Sequence, residues 1–287
     1  MTVTSDALAK VPGWFDDPDQ ALFHWFLSYQ TATGRTGDLA EIGVFKGKSA
    51  ILIGDHLQRD EVFTVIDLFE DPSDDPRNEA EKQKAYAGLT QRVFETNYLR
   101  FHAELPNVIR GDSRSIVEHA RIGRHRFVHI DGSHVYEHVR ADLESARCLL
   151  GEGGIVAVDD YRSIHTPGVS AATWEEAATG GLHALVLSET KLYGTWSEPE
   201  DWLNKLIGWL PRSGLGWEQH EVLDTTLLLV WPITPQGRRL AEAMTPPAVL
   251  RRIHRASELR RAGLSLGELA RFAARDAVRP FRRRFHY

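Results

Sequence analysis

A single cysteine and two methionines stand in 287 residues, so no disulfide framework can close within the chain. Cys148 falls in an apolar helical pattern with Leu143, Leu149 and Leu150, which predicts a buried, inert thiol. No stretch approaches about 18 apolar residues without charge, which excludes a membrane-spanning helix by pattern. The opening segment lacks the basic start and apolar run of an export signal, and a cytoplasmic protein is expected. Positive charge is also scarce: the formal net charge of -6 argues against a chain that coats nucleic acid. That scarcity is uneven, because residues 251–287 hold eleven arginines against three acids, a balance of +8 that leaves the remainder near -14. The division expected is a domain over 1–250 and a basic helical tail over 251–287 that serves docking or self-association, giving a homo-oligomer such as a dimer.

What the chain has is enough apolar content, 42%, to bury one substantial core. Leu22, Phe23, Phe26 and Tyr29 recur at helical spacing and predict an amphipathic helix over 18–31. After it, short β-rich runs alternate with helical ones: "LAEIGVF", "KSAILIGDHLQ", "VFTVIDLF", "NVIRGDS", "RFVHIDGS", "YEHVRADLESARCLL" and "GIVAVDDY". The alternation predicts an α/β fold, a Rossmann-like doubly wound, mostly parallel seven-stranded sheet with helices on both faces. Ligands bind such sheets at the carboxyl ends of the strands. A charged, Pro-bearing stretch from "DPSDDPRNE" onward predicts a loop leading to a helix and able to close over a ligand. Trp202 and Trp209, seven residues apart, are expected on one packed helical face.

The stretch "EIGVFKGKSA" ends like a triphosphate loop, but Gly43 and Gly47 are separated by three residues where that loop needs four. A dinucleotide fingerprint would need glycine at Phe45. What remains is a strand carrying Glu41, a turn in which Gly43 and Gly47 admit a close ligand, and Ser49 opening a helix. The next strand ends in Asp67, 24 residues beyond Gly43, near the interval at which a carboxylate reaches a ribose hydroxyl. The third tip, "RGDS", places Asp112 and Ser113 to bind an adenine or, alternatively, makes Asp112 a helix cap.

Those segments, with "HIDGSHVYEHVRADL" and "GGIVAVDDY", resemble the class I S-adenosylmethionine-dependent methyltransferases, and within them the metal-dependent group of macrocin and other sugar O-methyltransferases. The resemblance covers roughly 39–161. It implies that Glu41 and Gly43 meet the methionine part of S-adenosylmethionine, Asp67 the ribose, and Asp112 with Ser113 the adenine. Phe45, Lys46, Ser49 and Asp131 complete the implied cofactor contacts.

Asp131 closes one strand and Asp159-Asp160 the next, so neighbouring strands would bring three carboxylates together at a spacing of roughly 5 Å. Such a cluster repels itself unless a cation intervenes, and a hard divalent ion such as Mg²⁺ suits oxygen ligands. The resemblance implies Mg²⁺ on the same Asp131, Asp159 and Asp160. His134, just past Asp131, is the candidate base for an acceptor hydroxyl, with Asp131 beside it and His165 as a rival. The macrocin-type pattern has an acid where this chain has Ser133. Trp174 and the loop "RSIHTPGVSAA" are the candidate acceptor contacts. The activity expected is Mg²⁺-dependent methyl transfer from S-adenosylmethionine to a hydroxyl of a small molecule, a saccharide or glycosylated natural product, with no nucleic-acid partner. The alternatives are a nicotinamide-dependent oxidoreductase, a hydroxylase-associated relative, and a non-catalytic relative that keeps the pocket.

Overall fold

Short apolar runs that end in acids become parallel strands here, and the segments between them become the covering helices. The computed structural model describes residues 3–233 apart from 87 and 224; the basic tail lies outside the described residues. The strands are β1 (Asp38–Ile42), β2 (Phe63–Asp67), β3 (Asn107–Arg110), β4 (His125–Ile130), β5 (Leu150–Val158), β6 (His183–Leu187), β7 (Leu192–Thr195), β8 (Leu215–Val222) and β9 (Thr225–Pro232). The helices are α1 (Ser5–Leu8), α2 (Asp17–Ala32), α3 (Lys48–Gly54), α4 (Pro76–Ala85), α5 (Gln91–Tyr98), α6 (Ile116–His119), α7 (Tyr136–Leu149), α8 (Pro167–Glu175) and α9 (Glu200–Ser213).

Sheet order is β3-β2-β1-β4-β5-β7-β6-β9-β8. The five strands β3, β2, β1, β4 and β5 pair in parallel, and β7 enters antiparallel between β5 and β6. The expected doubly wound sheet is present, with nine strands among the described residues where seven were expected. The surplus is β7, which follows β6 after a tight turn, and the edge strand β8, which exposes most of its polar residues and so carries a weak strand signal.

Side-chain alternation sorts the strands onto two cores. Leu39, Phe127, Ile155 and Ala157 face one way and pack under α2, α3, α5 and α9. Ala40, Ile42, Val128, Ile130, Val156 and Val158 face the other way, under α7 and α8. The N-terminal helix runs Asp17–Ala32, one residue longer at each end than the pattern predicts, and buries Leu22, Phe23, Phe26 and Leu27. Cys148 corrects its expectation: it is exposed, because the buried face of α7 is formed by Val139, Asp142, Leu143, Ala146 and Leu149, and position 148 lies off that face.

Candidate active site

The turn after β1 is built by backbone constraints. Gly43 has φ 77°, and a Cβ there would stand 2.0 Å from the Asp131 carbonyl oxygen, so this glycine lets β1 and β4 approach each other. Phe45, also at positive φ (46°), completes the turn into α3. Asp67, at the end of β2, holds the turn: its Oδ2 accepts from the amides of Val44 (2.8 Å) and Phe45 (3.1 Å), and its Oδ1 from Phe69 (2.6 Å). Three of roughly four acceptor positions on that carboxylate are thereby used, leaving one for a ligand hydroxyl.

Glu41 lies below this turn, fully buried, and is absent from the cavity wall. Ser49 Oγ donates to Glu41 Oε1 at 2.5 Å, and His129 Nδ1 lies 2.7 Å from the same oxygen. Burial pushes the Glu41 carboxyl up to about 8 and the His129 imidazole down, so the interior pair is held neutral. Glu41, expected to contact the cofactor, is thus set back from the cavity behind Ser49, which does line it.

That cavity has a volume of about 1150 Å³ and opens at the carboxyl ends of the strands. Gly43, Phe45, Ser49, Asp67, Asp112, Ser113, Asp131, Asp159 and Asp160, all expected site residues, line it together with His134 and His165. Lys46 does not: its ammonium rests over the Phe45 ring, and Lys48, two residues on, reaches the cavity and donates to the Gly13 carbonyl at 2.9 Å. Trp174 packs against the α7–α8 core and is likewise absent from the wall. Asp112 caps the turn at Ser113–Ser115, accepting from the Arg114 amide (2.9 Å) and pairing with its guanidinium. Residues Asp71 to Tyr86, the charged stretch expected to lie over a ligand, contribute a wall through the loop before α4 and α4 itself.

The acidic strand tips converge only in part. The register Ile130↔Val158 sets Asp131 beside Asp159. One nitrogen of His129 and one oxygen from each of these two aspartates lie within 4.8 Å of one another. Asp160 is not in that group. Its φ is 57°, and its carboxylate turns to Ser163 and to His134 Nε2, at 3.1 Å. The left-handed turn at Asp160 takes the chain out of the strand direction just past β5, so Asp159 and Asp160 separate.

Two polar residues outside the sequence-derived set complete the centre. In the antiparallel register Val158↔Leu192, the next pair along is Asp159 and Lys191, and the Lys191 ammonium contacts Asp159 Oδ2. That lysine side chain is 2% exposed. Burial disfavours its charge, but the fields of Asp159, Asp131 and Asp19 prevail and raise its pKa. Asp19, from the first turn of α2, is 1% exposed and accepts from Tyr193 Oη (2.7 Å) and Thr190 Oγ1 (3.1 Å). Asp131 is itself pushed well above the ordinary carboxylate range, by burial first and then by Asp159. His134 is gripped on both nitrogens, Nδ1 by Glu81 at 2.6 Å and Nε2 by Asp160. Burial opposes its charge, yet the two carboxylates raise its pKa. Asp160 is held down to about 2, with the bonds to His134 and Ser163 outweighing its burial. The alternating strand "KLYGT" carried the only local hint of Lys191, and nothing in its spacing ties it to Asp159.

A sequence family described as a methyltransferase domain matches residues 40–161, the segment that holds β1 to β5 and their tips. That segment is similar to methyltransferase domains. The solved structure of the O-methyltransferase NovP shares the methyltransferase fold at a TM-score of 0.53 with 18% identity, covering 62% of this chain and 79% of that one. Looser likenesses, both at a TM-score of 0.44 and 16% identity, are the O-methyltransferase from Bacillus cereus in complex with SAH (67% of this chain, 92% of that one) and CalS11, a TDP-rhamnose 3'-O-methyltransferase (64% and 82%). No curated protein matches the chain. Among its described residues no helix is long and apolar enough to cross a membrane.

Proposed function

We propose that this chain is a methyltransferase that moves the methyl group of S-adenosylmethionine to a hydroxyl oxygen of a small polar molecule, a saccharide or a glycosylated compound. The charge of the cavity carries the reading. Acidic side chains on its wall outnumber basic ones nine to five, which favours a cationic sulfonium and repels the pyrophosphate of a dinucleotide. The fit to the nucleoside is local: Asp67 keeps an acceptor position free, Asp112 and Ser113 stand at the next strand tip, and Ser49 lies under the glycine turn. The oxygen acceptor is carried over from NovP, named an O-methyltransferase. A saccharide suits the rim, where Trp14, 72% exposed, stacks on Phe45 at 5.4 Å with Tyr86 edge-on to both. Such faces pack against sugar C–H groups while the carboxylates inside take the hydroxyls.

In the transfer the S–CH₃ bond breaks, the O–CH₃ bond forms, and the acceptor hydroxyl loses its proton. Asp131, at the β4 tip and on the cavity wall, is the group assigned to receive it. His134, with a carboxylate on each nitrogen, has no free lone pair for that task and serves to fix Asp160 and Glu81. The protein's main contribution is to hold donor and acceptor in line, worth roughly 7–11 kcal/mol of barrier. Mg²⁺ fits these residues poorly. Asp160 is turned away, and an ion on Asp131 and Asp159 would have to displace the Lys191 ammonium. No step is routed through a metal.

Calorimetric titration with S-adenosylhomocysteine and with NADH tests the nucleoside, and labelled methyl transfer to a panel of glycosides tests the acceptor. Binding of S-adenosylhomocysteine alone is expected; binding of NADH alone would overturn the reading. We further infer from the contrast in charge along the sequence, +8 over residues 251–287 against about -14 over the rest, that the chain self-associates through residues 251–287.

A further inference from the structure

We propose that the Lys191 side chain is the resident cation of the acidic centre, standing where a divalent metal would stand, so that the methyltransferase binds no metal at Asp131 and Asp159. The inference rests on the methyltransferase reading above.

Three observations meet at this point. Asp131 and Asp159 come together with a His129 nitrogen inside 4.8 Å, a donor set of the kind that holds a cation. The β5–β7 register delivers Lys191 to Asp159, and antiparallel neighbours on one face bring their side chains together without any freedom to choose another partner. The turn that carries Lys191 is itself pinned: its amide donates to Ser188 Oγ at 2.8 Å, its carbonyl accepts from the Ser188 amide at 2.9 Å, and the Thr190 carbonyl accepts from Tyr161 at 3.1 Å.

The surroundings hold the ammonium in place. Phe15 presents its ring 5.6 Å from Lys191 Nζ, and Asp19 adds a third carboxylate from the side of α2. A buried ammonium is stable only where carboxylates compensate it, and buried carboxylates at this spacing need a positive charge among them. One side chain meets both needs. A dication added to the same aspartates would face the lysine at close range and lose the ligand oxygen that the lysine already holds. The fixed charge also sits on the cavity wall, where it screens Asp131 and Asp159 from each other while leaving the mouth open to an acceptor.

Electron paramagnetic resonance of Mn²⁺ titrated with the full-length chain, in the presence of S-adenosylhomocysteine, decides the matter. For the wild type the free-ion signal is expected to persist, and for Lys191→Met, which keeps the side chain's bulk without its charge, stoichiometric loss of that signal is expected. Stoichiometric loss with the wild type overturns the proposal. So does a Lys191→Met chain that binds S-adenosylhomocysteine but leaves the Mn²⁺ signal untouched, since the aspartates would then form no cation site. Should that variant fail to fold, the wild-type titration by itself supports the proposal or overturns it. Calorimetry with S-adenosylhomocysteine in the same buffer separates the two readings: its failure removes the methyltransferase assignment and leaves the metal result standing.

Discussion

Asp142 shows how a single side chain can set a pH dependence. It is fully buried on α7, and neither carboxylate oxygen has a hydrogen-bond partner. Burial pushes its pKa up to about 7, so the fold keeps a proton that the unfolded chain releases near pH 4. A raised carboxyl gives its full stabilisation below the unfolded value and loses it as pH climbs through the folded one. Asp142→Asn is therefore expected to be more stable than wild type at about pH 8, by roughly 1–3 kcal/mol, with the gap shrinking toward about pH 5. Melting temperatures by circular dichroism at both pH values check this; a gap independent of pH would contradict it. At the same scale, Gly43 was legible in the sequence as a special residue. Its neighbour was not, since the close atom is the Asp131 carbonyl just past β4, far along the chain.

Among the elements, α2 and α9 form one aromatic joint over the sheet. Trp25 stacks on Tyr29 and on Trp209 at 5.3 Å each, Trp202 meets Phe26 edge-on at 5.5 Å, and the Arg35 guanidinium lies 5.0 Å over the Trp202 ring. Trp202 is 1% exposed, while its indole nitrogen is buried with no partner. Trp202→Ala is expected to cost about 3–5 kcal/mol through the cavity it leaves. Trp202→Phe should cost clearly less, because no hydrogen bond is lost with the indole. Urea unfolding of both variants provides the comparison, and equal losses would show that the ring's full volume is what matters. The helical face expected from the Trp202–Trp209 spacing was readable from periodicity. Its partner α2 was equally visible as an amphipathic segment, but no periodicity states which helices share a face of the sheet.

At the scale of the whole molecule, charge is distributed rather than balanced. The cavity is acidic, and the positive excess lies in residues 251–287. Deleting that segment is expected to lower the mass found by light scattering at low ionic strength and to leave S-adenosylhomocysteine binding intact, since the cavity residues among the described ones lie in 13–191. An unchanged mass would remove the self-association reading. High salt should mimic the deletion in part, because exposed charges are screened beyond about 10 Å at 0.1 M salt.

The order of strands and helices, the glycine turn, and the acids at the tips of β2, β3, β4 and β5 were all determined by the linear sequence, because each is a local pattern of period, turn chemistry and strand termination. The tertiary structure decided how those acids are used. Asp67, expected to meet a ribose, also holds the glycine turn, Asp160 leaves the group and pairs with His134, and Asp159 takes Lys191 from a hairpin some thirty residues later. The physical reason is register: which side chain meets a strand tip depends on how an antiparallel partner is aligned beside it, and alignment is a property of the assembled sheet.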